Sequence, residues 1–256
     1  MCGIFGYIGN KRATPILIDG MRRLEYRGYD STGIAIKDED ISIFKKVGKV
    51  SEMQSILPLN IQGVTGIGHT RWATHGGVTD ENAHPHASAS GEVVIVHNGI
   101  INNSRILRAS LVAKGVELKS ETDSEALAHL IEIELSVDNN PEAAVRRTLQ
   151  KARGTWGLCA IFKNHDLIVV ARNGSPLVIG KGDSETFISS DRPTLSEFAD
   201  RVVDLHDGDI AVITATSITR SSLKGDRKSV EVSVLEKSWG EADLGEYEHY
   251  MLKEIH

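Results

Sequence analysis

The second residue of this 256-residue chain is a cysteine, and removal of Met1 would make it the chain terminus. A terminal cysteine carries a thiol and a free α-amine together. An α-amine with an unperturbed pKa of about 8 can take a proton from a thiol whose own value is about 8.5. Nucleophile and general base then share one residue. Gly3 and Gly6 let other backbone come close to it. The other cysteine, Cys159, lies in the apolar run 158–162 and reads as a core thiol.

A thiol that attacks an amide needs an oxyanion hole and a substrate clamp. His97-Asn98-Gly99 ends the strand expected over 92–97, where the Asn98 side-chain amide and the Gly99 N–H could both point at a developing oxyanion. Arg71 offers a guanidinium fork suited to an α-carboxylate. Asp123, in the first turn of an expected helix, could receive an ammonium. The two clamps together specify a free amino acid, so the amide would belong to glutamine or asparagine. Each residue also has a plainer reading. Asp123 suits a helix dipole, Asn98-Gly99 is a common turn pair, and Arg71 could form a surface ion pair. His69, His75, His84, His86 and His97 raise the question of a metal, but His84-Pro85-His86 lacks a third ligand at standard spacing, so none is expected. Residues 174–181 lack the spacing of a phosphate loop.

These residues need a scaffold. The run 4–8 reads as a buried strand. Thr14 and Pro15 then read as N-cap and first residue of a helix, with Leu17, Met21 and Leu24 on its apolar face. Strands are expected over 32–37 and 41–47 around the polar turn 38–40. Between 63 and 100 only 92–97 reads as a firm strand, and the rest reads as loops where binding groups concentrate. Helices are expected over 103–114, from the capping box Thr122-Asp123-Ser124-Glu125, and after Pro141. Short strands follow at 158–162, 167–171, 177–179, 187–189 and 210–213. Helices between two strand-rich regions predict an α+β fold in which helices cover antiparallel sheets.

Composition narrows the field. There are 29 Lys+Arg against 35 Asp+Glu, a net charge of −6 that argues against a nucleic-acid surface. Hydrophobic residues make up 40% and charged residues 25%, as in ordinary globular domains. Two cysteines make no disulfide framework, no apolar run is long enough for a membrane span, and the N-terminus does not read as a signal peptide. A cytoplasmic protein without membrane or nucleic-acid partners is the expectation. After residue 238 the chain turns polar and aromatic, with Trp239, Tyr247 and Tyr250, and stops mid-pattern, so a longer parent is expected.

Taken in order, the motifs resemble a known family. They are Met1-Cys2-Gly3-Ile4, Leu24-Glu25-Tyr26-Arg27-Gly28-Tyr29-Asp30-Ser31, Gly68-His69-Thr70-Arg71-Trp72-Ala73-Thr74-His75-Gly76 and Asn82-Ala83-His84-Pro85-His86. His97-Asn98-Gly99-Ile100-Ile101, Ser120-Glu121-Thr122-Asp123, Gly174-Ser175-Pro176-Leu177-Val178 and Tyr250-Met251-Leu252-Lys253-Glu254-Ile255 complete the set. The chain resembles the glutaminase domains of class II glutamine amidotransferases, and within them the hexosamine-forming branch that aminates fructose 6-phosphate. The resemblance implies a four-layer αββα N-terminal-nucleophile hydrolase sandwich of two antiparallel sheets between helical layers. It implies Cys2 as nucleophile with its own amine as base, and Asn98 with the Gly99 amide as oxyanion hole. Arg71, Thr74, His75, Gly99 and Asp123 fall on glutamine-binding positions, Trp72 on a gating loop, and Arg27 near the active cysteine. No cofactor is implied. Residues 2–238 would form the glutaminase domain and 239–256 the start of a linker. L-glutamine is the substrate this implies. Fructose 6-phosphate would bind only to sugar-isomerase domains absent from this chain, in a full-length homo-oligomer. Asn102 stands where Glu is frequent and Ser124 where Thr is common.

Two alternatives stay open. Another class II amidotransferase, such as amidophosphoribosyltransferase, shares the N-terminal cysteine and the Asn-Gly element, although the 71–76 and 84–86 stretches favour the first branch. A non-catalytic glutamine sensor would have no need of Cys2.

Overall fold

Strand β1 (Gly3–Ile8) consists of glycine, aliphatic and aromatic residues and is buried throughout, as expected of a strand covered on both faces. Phe5 and Tyr7 pack on one side of it, Ile4 and Ile8 on the other. The computed structural model describes residues 2–73 and 76–235.

After β1 come helix α1 (Ala13–Leu24), strands β2 (Ser31–Lys37) and β3 (Ile41–Val47), and the short helix α2 (Val50–Ser55). Strands β4 (Thr65–Arg71), β5 (His86–Ala87) and β6 (Val93–Ile101) lead into helices α3 (Ser104–Val112), α4 (Asp123–Asp138) and α5 (Pro141–Lys151). Strands β7 (Gly154–Phe162), β8 (His165–Asn173), β9 (Val178–Lys181), β10 (Thr186–Ser189) and β11 (Arg201–Asp204) follow. The described part closes with β12 (Asp209–Ile213), β13 (Ile218–Ser222), β14 (Arg227–Lys228) and β15 (Ser233–Val234).

Among the described residues these strands make an eight-stranded sheet, ordered β15-β11-β9-β10-β1-β4-β2-β3, and a seven-stranded sheet, ordered β14-β13-β12-β8-β7-β6-β5. Neighbouring strands pair antiparallel. Three cores separate four layers. Leu17, Met21 and Leu24 of α1 pack on Phe5 and Ile34 of the larger sheet. Ile4 and Ile67 meet Val96, Cys159 and Ile161 in the gap between the sheets. Leu127, Ile131 and Leu135 of α4 cover Ile95 and Leu158 on the far face. The order is helix, sheet, sheet, helix, as expected of the α+β fold. Among the described residues no helix is long and apolar enough to cross a membrane.

Several local readings need correction. Helix α1 starts at Ala13 with Arg12 in the N-cap position, and no side chain caps it. Thr14 therefore sits inside the first turn, where Pro15 costs little because those N–H groups lack helical partners anyway. Residues 65–71 form strand β4 rather than a loop. Its glycines face α1, and a Cβ on Gly66 would lie 2.8 Å from Leu17 Cδ1. Glycine is there to admit the helix, not to turn the chain. The Thr122 side chain does accept the Glu125 N–H at 3.3 Å, but Glu125 turns to the Lys119 and Ser120 N–H groups, so the capping box is half made. Strand β6 runs on to Ile101, so Asn98-Gly99 is neither a strand end nor a turn. The linker expected over 239–256, with Trp239, Tyr247 and Tyr250, lies outside the described residues, as do Thr74 and His75.

Candidate active site

Side chains alternate along a strand. Ile67 of β4 faces the gap between the sheets, so His69 and Arg71 face it too. Val94 and Val96 of β6 face the same gap from the other sheet, so Asn98 joins them there. The pairing Gly3↔Thr70 brings the start of β1 beside the end of β4. Cys2, Arg71 and Asn98 thus meet at one end of the sandwich.

The Trp72 backbone N–H donates to Cys2 Sγ at 3.2 Å, and the Sγ lies 3.4 Å from Trp72 O. Asn98 Nδ2 donates to Cys2 O at 2.9 Å. An open cleft of about 40 Å³ is lined by Cys2, Arg71, Trp72, Gly99 and Asp123, among others. Asn98 is not one of the lining residues and reaches the cleft through its bond to Cys2. Gly99 has φ 132°, and any side chain there would collide with Thr155 O. That position requires glycine twice over.

Burial pushes the Cys2 thiol up, while the Trp72 amide and the Arg71 charge pull it down. Arg71 is 4% exposed, and burial lowers its pKa against the opposing pull of Cys2, Asp30 and Asp123. Arg71 Nη1 donates to Gly77 O at 3.1 Å. It is not a surface ion pair. Asp123 begins α4, and its Oδ2 accepts the Ile101 N–H at 2.7 Å while Oδ1 accepts from Ser124 Oγ. It therefore does more than favour the helix dipole, because it ties α4 to β6. Trp72 is 42% exposed and meets Tyr29 edge-on at 6.0 Å.

Arg27 does not line the cleft. Its Nη2 donates to Asp191 Oδ1 at 2.7 Å and its Nε to Tyr26 Oη at 3.1 Å. Those contacts tie the turn 25–28 to Asp191. Sequence reasoning missed His69, His97 and Ser124, which also line the cleft. His97 Nδ1 meets Ser124 Oγ at 2.8 Å and its Nε2 meets Thr155 O at 3.3 Å. The signal for His69 was its place two residues before Arg71 on one strand face.

A half-buried thiol, a guanidinium and a carboxylate in one cleft of an αββα sandwich define a class. The chain belongs to the glutamine amidotransferase domain family, which matches residues 69–197. Over its whole length it is 45% identical to the glutamine–fructose-6-phosphate aminotransferase [isomerizing] of Chlorobaculum tepidum, covering 43% of that protein. The enzyme of the same name from a strain of Thermus thermophilus is also 45% identical, with 42% of its length covered. The chain thus spans less than half the length of these relatives. In fold it is similar to glutamine phosphoribosylpyrophosphate amidotransferase of B. subtilis, with TM-score 0.76, 24% identity and coverage of 87% of this chain and 49% of that one.

Proposed function

We propose that this chain hydrolyses the side-chain amide of glutamine, with Cys2 as nucleophile once Met1 is removed. The observation that carries the reading is the opening of Cys2 onto one cleft with both Arg71 and Asp123. Arg71 binds the α-carboxylate of the substrate and Asp123 its ammonium, which leaves the γ-amide at Cys2. Thr74 and His75 are assigned to the same substrate, and Trp72 to closing over it. Arg27 supports this end of the site.

The α-amine takes the thiol proton, and the thiolate adds to the amide carbon. The oxyanion is held by Asn98 Nδ2 and the Gly99 N–H. The amine then returns its proton to the departing nitrogen, so ammonia leaves and a γ-glutamyl thioester remains. Water, deprotonated by the same amine, adds to the thioester and releases glutamate and the thiol. In a longer parent protein the ammonia passes to fructose 6-phosphate, a step supported by the names of the relatives. Incubation of the chain with glutamine tests the reading. Glutamate and ammonia should appear in equal amounts, and intact glutamine after prolonged incubation overturns it.

A further inference from the structure

The buried histidines that raised the question of a metal have another explanation. Asn98 Nδ2 lies 2.9 Å from Cys2 O, a carbonyl that can only accept, so the nitrogen of the amide must be on that side. The amide oxygen then faces His69 Nε2, also at 2.9 Å. That oxygen can only accept, so His69 must carry its proton on Nε2. Burial pushes the His69 pKa down to about 3, with the Asn98 bond opposing it and the Arg71 charge adding to it. A neutral ring protonated on Nε2 has a bare Nδ1, and His69 Nδ1 is indeed buried without a hydrogen-bond partner.

The ring is also held from turning. It stacks on His84 with centroids 4.2 Å apart and planes 18° from parallel. His84 in turn accepts the His97 backbone N–H on Nδ1 at 3.3 Å and meets His86 edge-on at 4.5 Å. His86 is anchored by Thr122 Oγ1 at 3.0 Å. Among the described residues no three of the His, Cys, Asp and Glu side chains are grouped to hold a metal ion. The rings pack against one another instead of converging on a point.

We infer that His69 is a positioning residue: its Nε2–H fixes the orientation of the Asn98 amide and so keeps the Nδ2 donor at the Cys2 end of the cleft. This rests on the role proposed for Asn98. Without that partner the Cys2 carbonyl alone holds the amide, which can then turn over and present its oxygen to a developing oxyanion. The position would then repel charge that it should stabilise. The penalty falls on turnover rather than on binding, because neither substrate clamp passes through His69.

The test compares His69→Phe, His69→Gln, Asn98→Ala and the double variant His69→Phe/Asn98→Ala. Losing one oxyanion donor typically costs about 10²- to 10³-fold in turnover. His69→Phe should lower kcat by a comparable factor with KM within about twofold, and His69→Gln, which keeps an N–H donor, should recover most of it. In the Asn98→Ala background His69→Phe should cost nothing further. Wild-type kcat in a folded His69→Phe chain beside a crippled Asn98→Ala overturns the inference alone. Wild-type kcat in Asn98→Ala overturns the oxyanion assignment and this inference with it. If His69→Phe does not fold, nitrogen-15 spectra of the wild-type imidazole decide. A proton on Nε2 supports the inference, and a proton on Nδ1 overturns it.

Discussion

Gly28 packs against Trp72 so closely that a Cβ on Gly28 would lie 2.7 Å from the Trp72 backbone nitrogen and 2.6 Å from the Arg71 carbonyl carbon. That nitrogen is the donor to Cys2 Sγ. The turn after α1 therefore sets the position of the peptide that holds the thiol. The backbone of Gly28 is extended, at φ 173°, so alanine would be excluded by contact alone. Gly28→Ala should displace the Trp72 amide, and misplacements of about 1 Å at a reacting centre can cost about 10²-fold. Glutaminase kinetics on the folded variant check this, and an unchanged kcat/KM would contradict it.

Arg71→Lys keeps the charge but loses the planar fork that pairs with a carboxylate through two hydrogen bonds. Charge-assisted hydrogen bonds contribute about 1.5–3 kcal/mol, so KM for glutamine should rise about 10- to 100-fold. An unchanged KM in steady-state assays would remove Arg71 from the carboxylate clamp.

Retained Met1 should abolish turnover, because the amine that serves as base would be tied up in a peptide bond. Loss of a general base typically costs about 10²- to 10⁴-fold. N-terminal sequencing of the same sample that is assayed decides the matter. Full activity in unprocessed chain is the contrary result.

Acid should weaken the fold in a defined window. Burial lowers the pKa of His69 to about 3 from an ordinary value of 6.5, and His84, His86 and His97 are lowered in the same direction. The folded state holds these rings neutral, whereas unfolded histidine takes up protons near pH 6.5. The stability tied to the neutral form is present above about pH 6.5 and is lost as pH falls towards the folded values. Each ring contributes a slope of up to about 1.4 kcal/mol per pH unit. Thermal midpoints between pH 7.5 and 5 should drop below pH 6.5, and a flat profile would contradict the neutral stack.

The chemistry of the site was more legible than its geometry. Cys2, Arg71 and Asp123 were singled out by residue type, and the structure brings the three to one cleft. Strand β4 was hidden because Gly66 and Gly68 look like loop residues until α1 is seen pressed against them. With β4 unread, the alternation that puts His69 and Arg71 on one face was unread too. The contact between His69 and Asn98 depends on how two sheets stack, and no local pattern in either strand encodes that. Arg27 shows the converse case. The resemblance put it near the active cysteine, whereas the structure shows it paired with Asp191 beside the turn after α1.

The central claim is that Cys2 attacks the amide, and the direct measurement is the initial rate of glutamate release by a Cys2→Ala chain with Met1 correctly removed. The geometry predicts a loss of at least about 10³-fold with the fold intact, as expected when a nucleophile that forms a covalent intermediate is deleted. Glutamate release by that variant at the wild-type rate would contradict the account.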